Sequence, residues 1–118
     1  MTFAFTEEQQ ELRRGVRRFL EDKSPSQQVR RLMETDDGYD RAVWSQMAQQ
    51  LGLQGLTIPE EHGGAGGGPV EQLIVLEEMG RVLLSAPYFS TAILAVNALQ
   101  ASGDAAAQKL HEPYRTQV

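Results

Sequence analysis

The side chains of this chain that could do chemistry lie next to one another in sequence rather than in spaced sets. Glu60-Glu61 and Glu77-Glu78 are paired carboxylates, His62 and His111 are the only histidines, and six serines (Ser24, Ser26, Ser45, Ser85, Ser90 and Ser102) carry hydroxyls. General acid–base work needs two groups that converge on one point. Adjacent residues on a helix point apart, so Glu77 and Glu78 do not read as a catalytic dyad. The histidines are too distant and too isolated for a metal site. No serine sits in a nucleophile motif with a positioned base. There is no cysteine, which removes disulfides and thiolate ligation. Read from its residues, the chain has no catalytic, cofactor-binding or metal-binding set.

Two features bear on anion binding. Five glycines fall between Gly63 and Gly68, as in a phosphate cradle, but neither G-x-G-x-x-G nor Gly-Lys-Ser/Thr is present. A tightly turned connector is the better reading. Arg13, Arg14, Arg17, Arg18, Arg30 and Arg31 form a basic cluster. Arg17 and Arg18 precede Glu21 and Asp22 by four residues and Arg14 follows Glu11 by three, which predicts a solvated face of helix ion pairs. A net charge of −5 argues against nucleic acid as a partner.

The elements that must position these groups are helical. Thr6 opens a capping box with Gln9, with Phe5 stapling the entry, and Leu12, Val16, Phe19 and Leu20 give one apolar stripe to about Lys23. Ser24-Pro25 punctuates, either as cap and first helical residue or as a looser turn. Val29, Leu32 and Met33 mark a second helix. Asp40 caps a third that carries Val43, Trp44, Met47 and Leu51 and stops at Gly52. Leu53, Leu56 and Ile58 predict a short extended or irregular segment. Pro69 starts a fourth helix, and Tyr88 to Ala101 forms a fifth, both apolar on most sides. Gly80, mid-helix among large apolar residues, predicts a close helix–helix contact. Asp104 caps a last helix to about Leu110. The expectation is an all-α bundle of five to six helices and one domain over 1–110, with 111–118 a polar tail lacking periodicity. No apolar run reaches the roughly 18–20 residues of a membrane span, and no signal-like leader precedes the acidic start. A cytoplasmic location is expected.

Three ordered blocks then carry a family resemblance. Gly52 to Gly66 (Gly-Leu-Gln-Gly-Leu-Thr-Ile-Pro-Glu-Glu-His-Gly-Gly-Ala-Gly) resembles the G-L-x-G-L-x-x-P-E-x-x-G-G-x-G segment of acyl-CoA dehydrogenases. Glu77-Glu78-Met79-Gly80-Arg81 resembles that family's E-E-[LM]-G-R helix. Phe3 to Phe19 resembles its opening helix, with Phe5, Thr6, Glu7, Glu8, Gln9, Leu12, Arg13, Val16, Arg17 and Phe19 in place. The resemblance implies the N-terminal helical domain of a flavoenzyme that oxidises an acyl-CoA to a trans-2-enoyl-CoA. In that family a glutamate base takes a proton, FAD takes a hydride, and an electron-transfer flavoprotein reoxidises the flavin. The family's T-E-x-x-x-G-S-D flavin segment and its C-terminal bundle with the catalytic glutamate have no counterpart in this sequence, and residues 111–118 depart from the family's continuation. A truncated dehydrogenase, inactive alone and binding no FAD by itself, is therefore expected. The resemblance places Phe89, Ser90, Ala92, Ile93 and Val96 at the floor of the acyl pocket, where an aliphatic lining suits an apolar tail. As plain residues of an apolar helix they read equally well as core.

The alternative is a non-catalytic interaction module. Two helices apolar nearly all round leave surface for self-association or for a dehydrogenase partner subunit, with Leu83, Phe89, Ile93 and Val96 expected at the contact.

Overall fold

A computed structural model describes residues 4–109. Phe3, Leu110 and the tail 111–118, which enter the expectations above, lie outside them. Among the described residues every regular element is helical, as the patterning requires. Helix α1 spans Glu7–Lys23. The Thr6 hydroxyl accepts from the Gln9 N–H at 3.1 Å and the Gln9 side chain accepts from the Thr6 N–H at 3.0 Å, so the capping box is formed. The staple is not: Phe5 is exposed, and its ring lies under the Arg13 guanidinium, 5.1 Å away, an arrangement that favours the cation. Val16 and Leu20 are buried as the stripe predicts. Ser24 closes α1, and α2 (Ser26–Met33) starts without a side-chain cap, so the looser turn holds. Leu32 faces inward, whereas Met33 is 75% exposed, one residue beyond the buried side of a short helix.

Asp40 accepts from the Ala42 and Val43 N–H groups and opens α3, Arg41–Gln46. The chain then continues in a wide π-turn, Met47–Leu51, until Gly52 stops it in the left-handed conformation at φ 63°. From Leu53 onward the backbone is irregular rather than extended, with two short 3₁₀ turns at Leu53–Gly55 and Glu60–His62. Its apolar side chains are core nonetheless: Leu53, Leu56 and Ile58 are buried. Three side-chain bonds anchor this connector, two of them from elsewhere in the chain. Tyr88 Oη donates to the Leu53 carbonyl (2.9 Å), Gln100 Nε2 donates to the Thr57 carbonyl (2.8 Å), and the connector's own buried Gln54 donates to the Trp44 carbonyl (2.8 Å).

Helix α4 (Pro69–Arg81) starts at proline and packs along α1. A second π-turn, Phe89–Ala95, runs into α5 (Val96–Ala101), and Gly103 and Asp104 turn the chain into α6 (Ala105–Gln108). Val16, Leu20, Trp44, Met47, Val75, Met79 and Ile93 meet in the core of a slab only 19 Å thick, about two helix layers. One expectation is overturned. Gly80 holds no helix–helix contact: a Cβ built on it meets nothing within 4 Å, and the residue faces out. The large residues flanking it in sequence lie on other sides of the helix.

Candidate functional site

The glycine loop does not cradle an anion. Anion binding needs free amides, and each amide from Gly63 to Gly68 is already used. Gly63 donates to the Glu60 carbonyl, Gly64 to Pro59, Ala65 to Gly55, Gly66 to Ile58 and Gly67 to Leu56, while Gly68 donates to the Glu71 carboxylate (3.1 Å). The glycines serve close approach instead. A Cβ on Gly64 would overlap the backbone of Ile58, and one on Gly67 would sit 2.9 Å from the Leu56 carbonyl oxygen. The loop folds back on residues 55–60 and sets where α4 begins.

Two members of the arginine cluster, Arg13 and Arg17, depart from the solvated face of local pairs that the spacing predicts, while Arg14, Arg18, Arg30 and Arg31 stay exposed. Arg14 does pair with Glu11. Arg17, however, reaches across to α4 and grips Glu78 with both ends of its fork, at 2.8 and 2.9 Å. Arg13 donates to Glu78 at 2.8 Å and to Glu77 at 3.2 Å. Arg81 adds a longer bond to Glu78 (3.4 Å) and pairs with Glu21 (2.7 Å). Glu78 is only 1% exposed. The hydrogen bonds from Arg17 lower its pKa most, those from Arg13 next, and against the opposing effect of burial they hold it at about 2. The same contacts raise Arg13 and Arg17 above the ordinary arginine value, through Glu77 and Glu78 for the first and Glu78 for the second. A carboxylate held this firmly in its charged form is a clasp between α1 and α4, not a general base. Sequence reading missed it because the partners lie 61 and 65 residues apart.

The remaining polar groups are dispersed. His62 Nε2 lies 4.0 Å from the Glu61 carboxylate, and among the described residues no group of His, Cys, Asp or Glu is arranged to hold a metal. His111 lies outside those residues. The Ser85 hydroxyl donates to the Gly38 carbonyl, tying the segment after α4 to the loop before α3, and Ser102 donates to the Leu99 carbonyl at the end of α5. Tyr88 is buried, and burial pushes its phenol pKa up, so it stays a neutral donor to Leu53. Among the described residues no helix is long and apolar enough to cross a membrane.

The expected acyl-floor residues divide by face. Ala92, Ile93 and Val96 are buried in the core. Phe89 and Ser90 are exposed, and Phe89 borders an open hollow of about 410 Å³ lined by Leu76, Met79, Leu83, Leu84 and Tyr88. Burial of Ile93 and Val96 also corrects their expected place on an outward contact surface, whereas Leu83 and Phe89 are 73% and 58% exposed. Leu94, exposed as well, shares the outer face with Phe89 and Ser90. A 3.6-residue period does not align Phe89 with Leu94. The π-turn does, because its wider i→i+5 repeat brings residues five apart onto one side.

The sequence profile described as "Acyl-CoA dehydrogenase, N-terminal domain" matches residues 6–112. Acyl-CoA dehydrogenase IpdE2 of Mycobacterium tuberculosis is 41% identical over 106 residues, covering 90% of this chain and 33% of that protein. The protein of the same name from Mycolicibacterium smegmatis is 39% identical over 88 residues, covering 75% of this chain and 28% of its own length. Among solved structures, the ChsE4-ChsE5 complex from Mycobacterium tuberculosis superposes with a TM-score of 0.82 at 30% identity, over 94% of this chain and 30% of that one. A variant of the Tcur3481-Tcur3483 steroid ACAD gives 0.80 at 30% identity, over 92% and 29%. The chain thus spans about a third or less of the length of these relatives.

Proposed function

Since the chain belongs to the acyl-CoA dehydrogenase family, whose N-terminal helical domain it forms, we propose that it closes the acyl side of a dehydrogenase site and is inactive alone. The flavin and the catalytic base come from other parts of the enzyme. The observation that carries this reading is the outward apolar face of the Phe89–Ala95 turn, with Phe89, Ser90 and Leu94 exposed beside an apolar hollow. Ala92, Ile93 and Val96 back that face from the core and fix its position. An apolar wall of this kind receives an alkyl tail and keeps water from the reacting carbons. The glycine loop offers no free amide to a flavin pyrophosphate, because each amide from Gly63 to Gly68 is already paired.

Two assays test this. The chain alone, given FAD, an artificial electron acceptor and acyl-CoAs of several lengths, is expected to show no turnover above a heat-killed control. In a chimera, the chain replaces the matching third of the Mycobacterium tuberculosis relative. The chimera is expected to bind flavin and bleach it with acyl-CoA, and Phe89→Ala with Leu94→Ala is expected to change its chain-length preference. A chimera that binds flavin but is bleached by no acyl-CoA removes the reading.

A second reading is a non-catalytic module that docks on a dehydrogenase partner subunit. The exposed Leu73, Leu83, Phe89 and Leu94 favour it. Association with such a subunit in the absence of flavin distinguishes it.

A further inference from the structure

We propose that two copies of this chain pair through the outer face of α2 and Leu83, about a two-fold axis that sets Arg30 of each copy against Glu34 of the other. This goes beyond the dehydrogenase reading and does not rest on it.

Leu83 supplies the first observation. Helix α4 ends in a turn in which the Leu84 N–H donates to the Met79 carbonyl (3.0 Å) and the Leu83 N–H to the Gly80 carbonyl (3.2 Å). The residue at the end of such a turn is left-handed and usually glycine. Here it is leucine at φ 53°, the one non-glycine residue with positive φ among those described. A leucine pays a steric penalty in that conformation. It recovers little of it inside the chain, because 73% of its surface stays exposed. Its side chain is held out as a knob.

The second observation is what flanks the knob. On the side away from the Phe89 hollow lies a groove of about 540 Å³ with Pro25, Val29, Met33 and Val82 on its walls. Met33 is 75% exposed. A face that carries both a knob and the apolar recesses to receive one is what a two-fold contact requires, since each copy presents the same patch.

Charge selects the occupant. Arg30 and Glu34 share the side of α2 that carries Met33, at i, i+4 and i+3 spacing. Both are exposed, and neither side chain forms an ion pair or hydrogen bond with a described residue. Arg81 and Glu21, which also border the groove, already pair with each other. The patch is therefore neutral in a chain of net charge −5, so two copies can approach here without repulsion. Antiparallel contact of two α2 helices satisfies Arg30 and Glu34 twice over. A specific dimer needs about 600 Å² from each copy, a small share of the 7365 Å² surface. A small ligand would leave most of itself in water in so open a groove.

Sedimentation equilibrium of the 118-residue chain over a wide concentration range tests the proposal. The expected result is a monomer–dimer equilibrium. Arg30→Glu and Glu34→Arg each weaken it by about tenfold or more, as like charges then face each other, and the double variant returns to near the wild-type constant. Leu83→Gly, suited to the left-handed turn, keeps or raises the urea midpoint yet weakens pairing by about tenfold or more. A chain that stays monomeric throughout overturns the proposal. So does a double variant that does not recover, or a Leu83→Gly chain that pairs as before. None of these outcomes bears on flavin bleaching by the chimera, so the two readings fail separately.

Discussion

The two ends of α4 are built on opposite rules. At its N-terminal end the connector holds five glycines within six residues, and it is closed: amides are spent on neighbouring carbonyls, Gly64 and Gly67 lie against backbone, and Glu71 reaches back to the Gly68 N–H. At its C-terminal end the position that favours glycine holds Leu83 instead, exposed between two open hollows. Glycine richness here marks tight packing, and the apolar, glycine-poor end is the one left exposed. Between them the Glu78 clasp ties the helix to α1.

The contrast breaks first at Gly64. Gly64→Val puts two methyl groups into the Ile58 backbone, which has no rotamer by which to retreat. The expected loss is about 3 kcal/mol or more, at or above the top of the usual overpacking range. Gly67→Ala, whose one close approach is the Leu56 carbonyl oxygen at 2.9 Å, is expected to lose about 1–2 kcal/mol. Urea midpoints measure both. If Gly64→Val unfolds at the wild-type midpoint, the loop yields easily and the first half of the contrast is wrong.

The clasp comes next. Glu78→Gln keeps the shape but removes the charge that Arg13 and Arg17 grip. Losing charge-assisted bonds costs about 2 kcal/mol. The larger losses of a fully buried pair do not apply, because Arg17 is partly exposed and can turn to water. The pH dependence has a definite sign. The folded pKa of Glu78 is lowered from 4.5 to about 2, so the unfolded chain binds its proton first on acidification. The clasp's contribution is present above pH 4.5 and is lost as pH falls through about 2. Subtracting the urea stability of Glu78→Gln from that of wild type across pH 2–6 isolates it. A difference that stays flat across that window means that the clasp contributes nothing.

What the sequence made legible follows from the range of each interaction. The caps at Thr6 and Asp40, the Gly52 stop and the Pro69 start are settled within a few residues, and they are read correctly. The all-helical class and the family follow from patterns of the same kind, supported by three motif blocks in order. The clasp was illegible because Arg17 has a nearby acid at Glu21 that offers an equally plausible partner. Only the packing of α1 on α4 shows that Glu78 is the one reached. Likewise, a helical period read as 3.6 hides the face that a π-turn builds from Phe89, Ser90 and Leu94. Of the five candidate acyl-floor residues, the pattern supplied the element but not which side of it faces out.

The smallest expected effect has the sign opposite to the one suggested by the sequence. A glycine amid Leu76, Met79, Val82 and Leu83 reads as a notch for a neighbouring helix, where any added side chain would destabilise. In the structure Gly80 faces out, and a Cβ there meets nothing within 4 Å. Its φ is an ordinary helical one, so alanine fits without strain. What remains is the intrinsic cost of glycine inside a helix, roughly 0.5–1 kcal/mol relative to alanine, chiefly the greater freedom of the unfolded chain. Gly80→Ala is therefore expected to raise stability by about that amount, seen as a higher urea midpoint at unchanged slope. Gly80 also borders the hollow shared by Leu83 and Phe89, so the same methyl group probes the open end of α4. If that hollow is filled by another chain, a variant more stable in isolation will associate less well. If Gly80→Ala lowers the midpoint of the isolated chain, a neighbour does press on that face, and the C-terminal end of α4 is not open.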